Sequence, residues 1–211
     1  LLQRIVNYVP VLLSLTVHEW AHARVAWALG DDTAKREGRL TLNPIVHIDL
    51  LGTLLPLMGV PFGWAKPVPI NPARFKRSIS MRTGMMLTAA AGPLSNLALA
   101  LLTTGLLFIF RVAAPEVLLN GHGILALFGQ AIVVNLALTA FNLLPLFPLD
   151  GSRIADGLMP QRYRATWEKI ERISPLLLLF VIIGLPYLNI NPFGWIGDVA
   201  EFLFRIAFGG F

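Results

Sequence analysis

Residues 1–30 read LLQRIVNYVPVLLSLTVHEWAHARVAWALG. As a helix, this mostly apolar run is long enough to cross a hydrocarbon core of ~30 Å at ~1.5 Å per residue. Gly30, then Asp31 and Asp32, end it. Inside it lies HEWAH, residues 18–22. Two histidines four positions apart share one helical face, so both imidazoles can reach one metal ion. Glu19 sits on the adjacent face, where it reaches water activated by that metal without ligating it. A carboxylate at mid-membrane is costly without a role. The opening stretch therefore predicts a membrane-spanning helix that carries a metal hydrolase site.

Composition agrees. Of 211 residues, 55% are hydrophobic and 14% charged, and the mean hydropathy is +0.67, whereas soluble domains carry about 25% charged residues. The expected class is an α-helical polytopic membrane protein, a single domain over 1–211. No basic-aromatic interleaving points to nucleic acid. With no cysteine, disulfides, thiolate ligands and a cysteine nucleophile are excluded. The sequence begins on Leu rather than Met, so its native start is expected upstream. The opening segment, which lacks a small-residue cleavage site, does not read as a signal peptide.

Further spans are predicted over 83–110 and 122–148, with two shorter candidates over 174–190 and 193–208 on either side of Pro192. About five to six transmembrane helices are expected. Residues 47–62, broken by Gly52, Pro56, Gly59 and Pro61, read as a re-entrant or interfacial segment, with a true span as the alternative. Residues 38–46 and 63–72 look extended and are expected to pair as short membrane-associated strands between the first two spans. The Asn-Pro pairs at 43, 71 and 191 are too short to make a repeat. Eight Lys or Arg fall in 31–82 and five in 151–173, against Arg111 alone in 111–121. The positive-inside bias puts the first two stretches in the cytoplasm, and with them the end of the first helix.

A catalytic zinc takes three protein ligands. Position 28 is Ala, which removes a third histidine six residues after His22. Glu37, His47 and Asp49 lie beyond the helix, and His122 lies toward the outer side. Asp150 is the strong candidate. It ends the third span in NLLPLFPLDGSR, where Pro145, Pro148 and Gly151 interrupt the helix and can turn a carboxylate back inward. Charge bias and motif position place all three ligands in the cytoplasmic half.

HEWAH, together with the run from Asn142 to Gly151, resembles the site-2 protease family of intramembrane zinc metalloproteases, peptidase family M50. GRLTLNPIVHID (38–49), GWAKPVPIN (63–71) and AGPLSN (91–96) support the resemblance. It implies one Zn2+ per chain on His18, His22 and Asp150, with Glu19 as the catalytic carboxylate. Asn142 would lie close to the metal and donate to the developing oxyanion. The arrangement looks like the compact branch without a PDZ or CBS domain. The implied function is hydrolysis of peptide bonds in or near transmembrane segments of other proteins, in a prokaryotic cell membrane.

Asn96 is a candidate for holding an extended substrate backbone, with helix packing as the alternative. His47 is a candidate substrate-facing group, with a surface histidine in a polar turn as the alternative. Asn135 is assigned to packing, the Arg74, Lys76, Arg77 cluster to lipid headgroups, and Trp64 and Trp195 to interfacial anchoring. The rival class is a non-enzymatic membrane protein: a metal transporter using His18, His22 and Asp150, or an inactive relative that binds transmembrane helices. Glu19 speaks against both, because neither needs a base beside two imidazoles.

Overall fold

The opening run forms helix α1 (Leu2–Ala28) in the computed structural model, which describes residues 2–59, 63–120 and 122–208. A glycine-terminated cap ends it. The Asp31 N–H reaches the Ala26 carbonyl at 2.9 Å and the Gly30 N–H reaches the Trp27 carbonyl at 3.0 Å. Gly30 has φ +114°, a conformation that favours glycine. Its bare Cα also admits residues 74–76: the Lys76 N–H bonds the Leu29 carbonyl at 2.8 Å.

Beyond the cap come α2 (Thr33–Arg36), a 3-10 turn at Pro44–His47, α3 (Leu50–Met58) and a second 3-10 turn at Pro72–Arg74. The long helix α4 (Met81–Ala113) leads through α5 (Pro115–Asn120) to α6 (His122–Asn142) and α7 (Asp150–Leu158). After a 3-10 turn at Gln161–Tyr163, α8 (Arg164–Leu179) runs through a π-helical turn at Phe180–Gly184 into α9 (Leu185–Tyr187), and α10 (Trp195–Phe208) follows. The three Asn-Pro pairs share one local structure. Asn43, Asn71 and Asn191 each accept, at 3.1 Å, the N–H two residues on, and the prolines fix the turn.

Helix α4 is the hub and packs against α1, α6, α7 and α10. Its buried face is built of Gly84, Thr88, Gly92, Asn96, Ala100 and Thr104. These recur every fourth position, and small side chains at that spacing let helices approach closely. Leu107, Ile132, Leu136, Ile196 and Ala200 fill the core among α4, α6 and α10. Outside it, Leu101, Leu102, Phe108, Leu176 and Ile183 are exposed, a surface suited to lipid.

Several boundaries differ from expectation. Three helical stretches are long and apolar enough to cross a membrane: Met81–Ala113, Gly123–Asn142 and Gln161–Tyr187. Length and composition thus support three of the expected five to six spans among the described residues. Helix α1, expected as the first span, has 27 residues but is not among these three. Helix α10 has 14 residues, ~21 Å, short of a ~30 Å core. The span expected over 122–148 stops at Asn142, because the proline-bearing turn 143–149 breaks it. Helix α3 has nine residues, too few to span; residues 60–62 of the expected 47–62 segment lie outside the described part. No strand forms among the described residues. The expected pairing of 38–46 with 63–72 does not form; one antiparallel bridge joins Ile48, just past the first segment, to Ala65, with the Lys66 N–H on the His47 carbonyl at 2.8 Å. Pro67 and Pro69 have no N–H with which to extend a ladder.

Asp31 fastens the end of α1 to the loop that follows α3. It is 1% exposed. One oxygen accepts the Thr33 N–H at 3.0 Å and the Thr33 hydroxyl; the other accepts the Asn71 N–H at 2.6 Å. Its neighbour Asp32 pairs at the surface with Arg36 at 2.7 Å and Arg74 at 2.6 Å. Desolvation works to raise the Asp32 pKa, but the hydrogen bond and charge of Arg36, with the charge of Arg74, outweigh it and leave the carboxyl below its ordinary range. Asp31→Ala leaves three donors without an acceptor. It is expected to cost about 2–4 kcal/mol, read as a lower midpoint in denaturant unfolding of the detergent-solubilised protein.

Candidate metal centre

HEWAH lies on the face of α1 that meets α4. The two imidazoles stand edge to face, their centroids 4.6 Å apart, and His18 and His22 are 5% and 6% exposed. They rest on Gly92. A Cβ there would lie 2.5 Å from Cε1 of both rings and from the His22 Nε2. The glycine of AGPLSN is thus the floor of the site, and any side chain would displace the histidines.

Asp150 arrives from the far side. Helix α6 ends at Asn142, the chain turns through 143–149 with a cis Phe147–Pro148 bond, and α7 starts on Asp150 itself. Gly151 lets that start pack tightly, since a Cβ would run into the Leu143 and Leu144 carbonyl oxygens. Buried Ser152 closes the turn by donating to the Leu149 carbonyl at 2.8 Å.

Three atoms converge. The His18 and His22 Nε2 atoms are 3.0 Å apart, and Asp150 Oδ2 lies 3.2 and 3.3 Å from them. Their other nitrogens fix the tautomers. His18 Nδ1 donates to Asn96 Oδ1 at 2.6 Å, and His22 Nδ1 donates to the Thr88 carbonyl at 2.7 Å. In the neutral rings each Nε2 therefore carries a lone pair. Asp150 Oδ2 is buried with no hydrogen-bond partner. Three electron-rich atoms thus face one another, an arrangement that a cation resolves. Ligand atoms around a tetrahedral ion with ~2.0–2.1 Å bonds lie about 3.3 Å apart, so the donor set fits zinc. Among the described residues it is the cluster of metal-ligating side chains close enough to share an ion.

Glu19 is placed by the segment after α3. Its Oε2 accepts the Val68 N–H at 2.8 Å. Val68 stands between Pro67 and Pro69, so its amide is the single donor of that tripeptide. A cavity of about 900 Å³ opens beside the site, lined by Glu19, Asn142, Trp64, Val68 and Phe141 along with His18, His22 and Asp150. Asn142 donates from Nδ2 to the Leu138 carbonyl at 3.0 Å, which leaves its second amide hydrogen for another acceptor.

Other expected residues fall elsewhere. Asn96 is fully buried. Its amide donates to the Ser14 carbonyl at 3.2 Å and to Asn135 Oδ1 at 2.8 Å. Both amide hydrogens are engaged, so it offers none to a substrate. His47 is 1% exposed, so it is neither a surface histidine nor a wall of the cavity. It donates from Nε2 to the Thr41 carbonyl at 2.9 Å and braces the loop. Asp49 caps α3 by accepting the Gly52 N–H at 2.8 Å. Trp64, expected as an interfacial anchor, stands on the cavity wall over Gly52. Sequence reasoning missed the functions of Gly92, Thr88 and Val68. Thr88 and Val68 act through backbone atoms, which leave no mark in residue type.

These elements together form a buried donor set of the kind a metal-dependent hydrolase uses, in a helical bundle with three helices long and apolar enough to cross a membrane. The profile of Peptidase family M50 matches residues 109–185, a stretch that contains Asp150 and the turn before it. YwhC of Bacillus subtilis (strain 168), assigned by name to the zinc metalloproteases, is 43% identical over 176 residues, 83% of this chain and 78% of its own. Rip2 of Mycobacterium tuberculosis (strain H37Rv), assigned by name to the same class, is 32% identical over 201 residues, 93% of this chain and 71% of its own. The zinc metalloprotease MJ0392 of Methanocaldococcus jannaschii is 25% identical over 188 residues, 88% of this chain and 44% of its own. No solved structure matches. The chain belongs to peptidase family M50. It is a membrane metalloprotease whose cofactor is Zn2+.

Gly92→Ala places a methyl group where the imidazoles stand. It is expected to weaken zinc binding at least about tenfold, measured by chelator competition on the purified protein.

Proposed function

We propose that this protein hydrolyses peptide bonds within or next to transmembrane segments of other membrane proteins. The observation that carries the reading is the convergence of His18 Nε2, His22 Nε2 and Asp150 Oδ2 within 3.0–3.3 Å, beside Glu19, in a bundle with three helices long enough to cross a membrane. His18, His22 and Asp150 would hold the zinc. When bound, the ion supplies Lewis-acid activation of water and of the scissile carbonyl.

The remaining steps belong to the chain's own side chains. Glu19 takes the proton from the attacking water and returns it to the leaving amine. The Val68 N–H holds one carboxylate oxygen in place for this. Asn142, on the cavity wall, would give its second amide hydrogen to the oxyanion that develops as the carbonyl is attacked.

A helical substrate hides its carbonyls in its own hydrogen bonds, so it must unwind to be cut. Strand pairing along 63–72 has few groups to draw on. The N–H groups of Lys66, Val68 and Asn71 bond His47, Glu19 and Asp31, and the Lys66 and Pro67 carbonyls accept from Arg39. The apolar cavity walls therefore carry more of the recognition than edge hydrogen bonds do.

The basic stretches 31–82 and 151–173 support a multi-pass topology with the site in the cytoplasmic half. At the inner end of α1, Trp27 lies within 4.7 Å of Arg24 and 4.8 Å of Lys35, which suits an aromatic anchor at a headgroup boundary. The bacterial and archaeal relatives support a prokaryotic cell membrane, with the whole chain acting as one domain.

Glu19→Gln is expected to bind zinc as the unsubstituted protein does, yet to lose about 10²–10⁴-fold in cleavage of a model transmembrane peptide; full cleavage by the variant would overturn the role. Asn142→Ala is expected to keep zinc and to lower kcat about 10²–10³-fold.

A further inference from the structure

Two buried amides take no part in the chemistry above, yet they reach it. Asn96 on α4 is 0% exposed and Asn135 on α6 is 3% exposed. A directed chain of hydrogen bonds runs through them. Asn135 Nδ2 donates to the Ala131 carbonyl at 2.8 Å, and Asn135 Oδ1 accepts from Asn96 Nδ2 at 2.8 Å. The Ser14 carbonyl takes the second Asn96 hydrogen at 3.2 Å, and Asn96 Oδ1 accepts from His18 Nδ1 at 2.6 Å. Ala131 and Ser14 enter through backbone carbonyls, which can only accept. Turning either amide over would set oxygen against oxygen. The direction of the whole chain is therefore fixed, and it delivers an acceptor to His18 Nδ1.

We propose that Asn135 is a positioning residue for the metal centre, acting through Asn96 to hold the His18 ring in the tautomer and orientation that present Nε2 to zinc. Ligating histidines commonly donate their second N–H to an oxygen, and losing that partner weakens metal binding. Here the partner is itself aimed by a second amide, and the relay crosses three helices, α1, α4 and α6. His22 is served differently: its acceptor is the Thr88 backbone carbonyl, which no side-chain substitution removes. Of the two imidazoles, His18 is thus the one under side-chain control. An intramembrane Asn whose amide ends on a backbone carbonyl four residues back looks like ordinary helix packing. Its other end gives it a function.

The proposal rests on the reading of His18 and His22 as zinc ligands, and the experiment keeps the two apart. Zinc dissociation constants are measured by chelator competition on the full chain in detergent for Asn96→Leu, Asn135→Leu, the double variant and Thr139→Val. Asn96→Leu is expected to raise the constant about 10–100-fold, and Asn135→Leu to raise it by about 10-fold or somewhat less. The double variant is expected to bind no worse than Asn96→Leu alone, because Asn135 acts only through Asn96. Thr139→Val is the matched control. It removes a polar group elsewhere on α6, a hydroxyl bonded to the Pro93 carbonyl at 3.2 Å and the Asn135 carbonyl at 2.8 Å but outside the relay, and is expected to leave zinc affinity unchanged. The proposal is overturned if Asn135→Leu stays within about twofold of the unsubstituted protein, if the two single effects multiply in the double variant, or if Thr139→Val weakens binding as much as Asn135→Leu. Should Asn96→Leu fail to fold, Asn135→Leu against Thr139→Val decides. His22→Ala tests the ligand reading itself. Zinc retained there overturns that reading, and zinc lost there while Asn135→Leu is unaffected overturns the relay alone.

Discussion

The structure depends on how closely α4 can lie against α1. Every fourth residue from Gly84 to Thr104 on the buried face of α4 is small or is a compact amide. At Gly92 the side chain disappears altogether and two imidazoles occupy the space. That one approach sets the depth of the histidines and brings the Thr88 carbonyl and the Asn96 amide within hydrogen-bond reach of their Nδ1 atoms. It also leaves both Nε2 atoms facing the turn that carries Asp150. In lipid no hydrophobic force drives two helices together, so association relies on packing and polar contacts. Here the packing contacts and the polar contacts are the same residues.

The second constraint is backbone arithmetic in a proline-rich loop. Residues 63–72 have the look of a strand, but Pro67 and Pro69 remove alternate donors, and the donors at 66, 68 and 71 are engaged by the protein itself. The segment is better described as a scaffold for Glu19 than as an open edge. Arg39, 7% exposed, holds it from the carbonyl side, and Asp31 holds it at its end.

The meeting of His18, His22 and Asp150 was legible from residue types because such residues are rare in an apolar chain. A histidine pair at helical spacing, an adjacent glutamate, and an aspartate in a broken helix end are few enough to be matched by elimination, expected depth and charge bias, and the family resemblance pointed to the same residues. The helices of α4 and α6 were legible from hydropathy. Less legible were the position of the helix break, read at Pro145 and Pro148 but falling at Asn142, and the strand pairing, which failed for want of N–H groups. The surroundings of the ligands were the least legible. Asn96 and Asn135 sit thirty-nine positions apart, and nothing in either local sequence says that they meet. His47 looked like a loop surface residue because burial by a neighbouring segment leaves no local periodicity.

The turn that presents Asp150 has a consequence of another kind. Residues 22 and 150 belong to different helices, and the ion they would share with His18 ties those helices together much as a crosslink closes a loop. Closing a long loop costs chain entropy that grows only slowly with its length, and a ligand that binds the folded form alone adds to that form's stability. A zinc ion held there would be a structural brace as well as a reagent. Its affinity becomes a gauge of how well α1, α4 and α7 are seated, readable at a distance from any substrate.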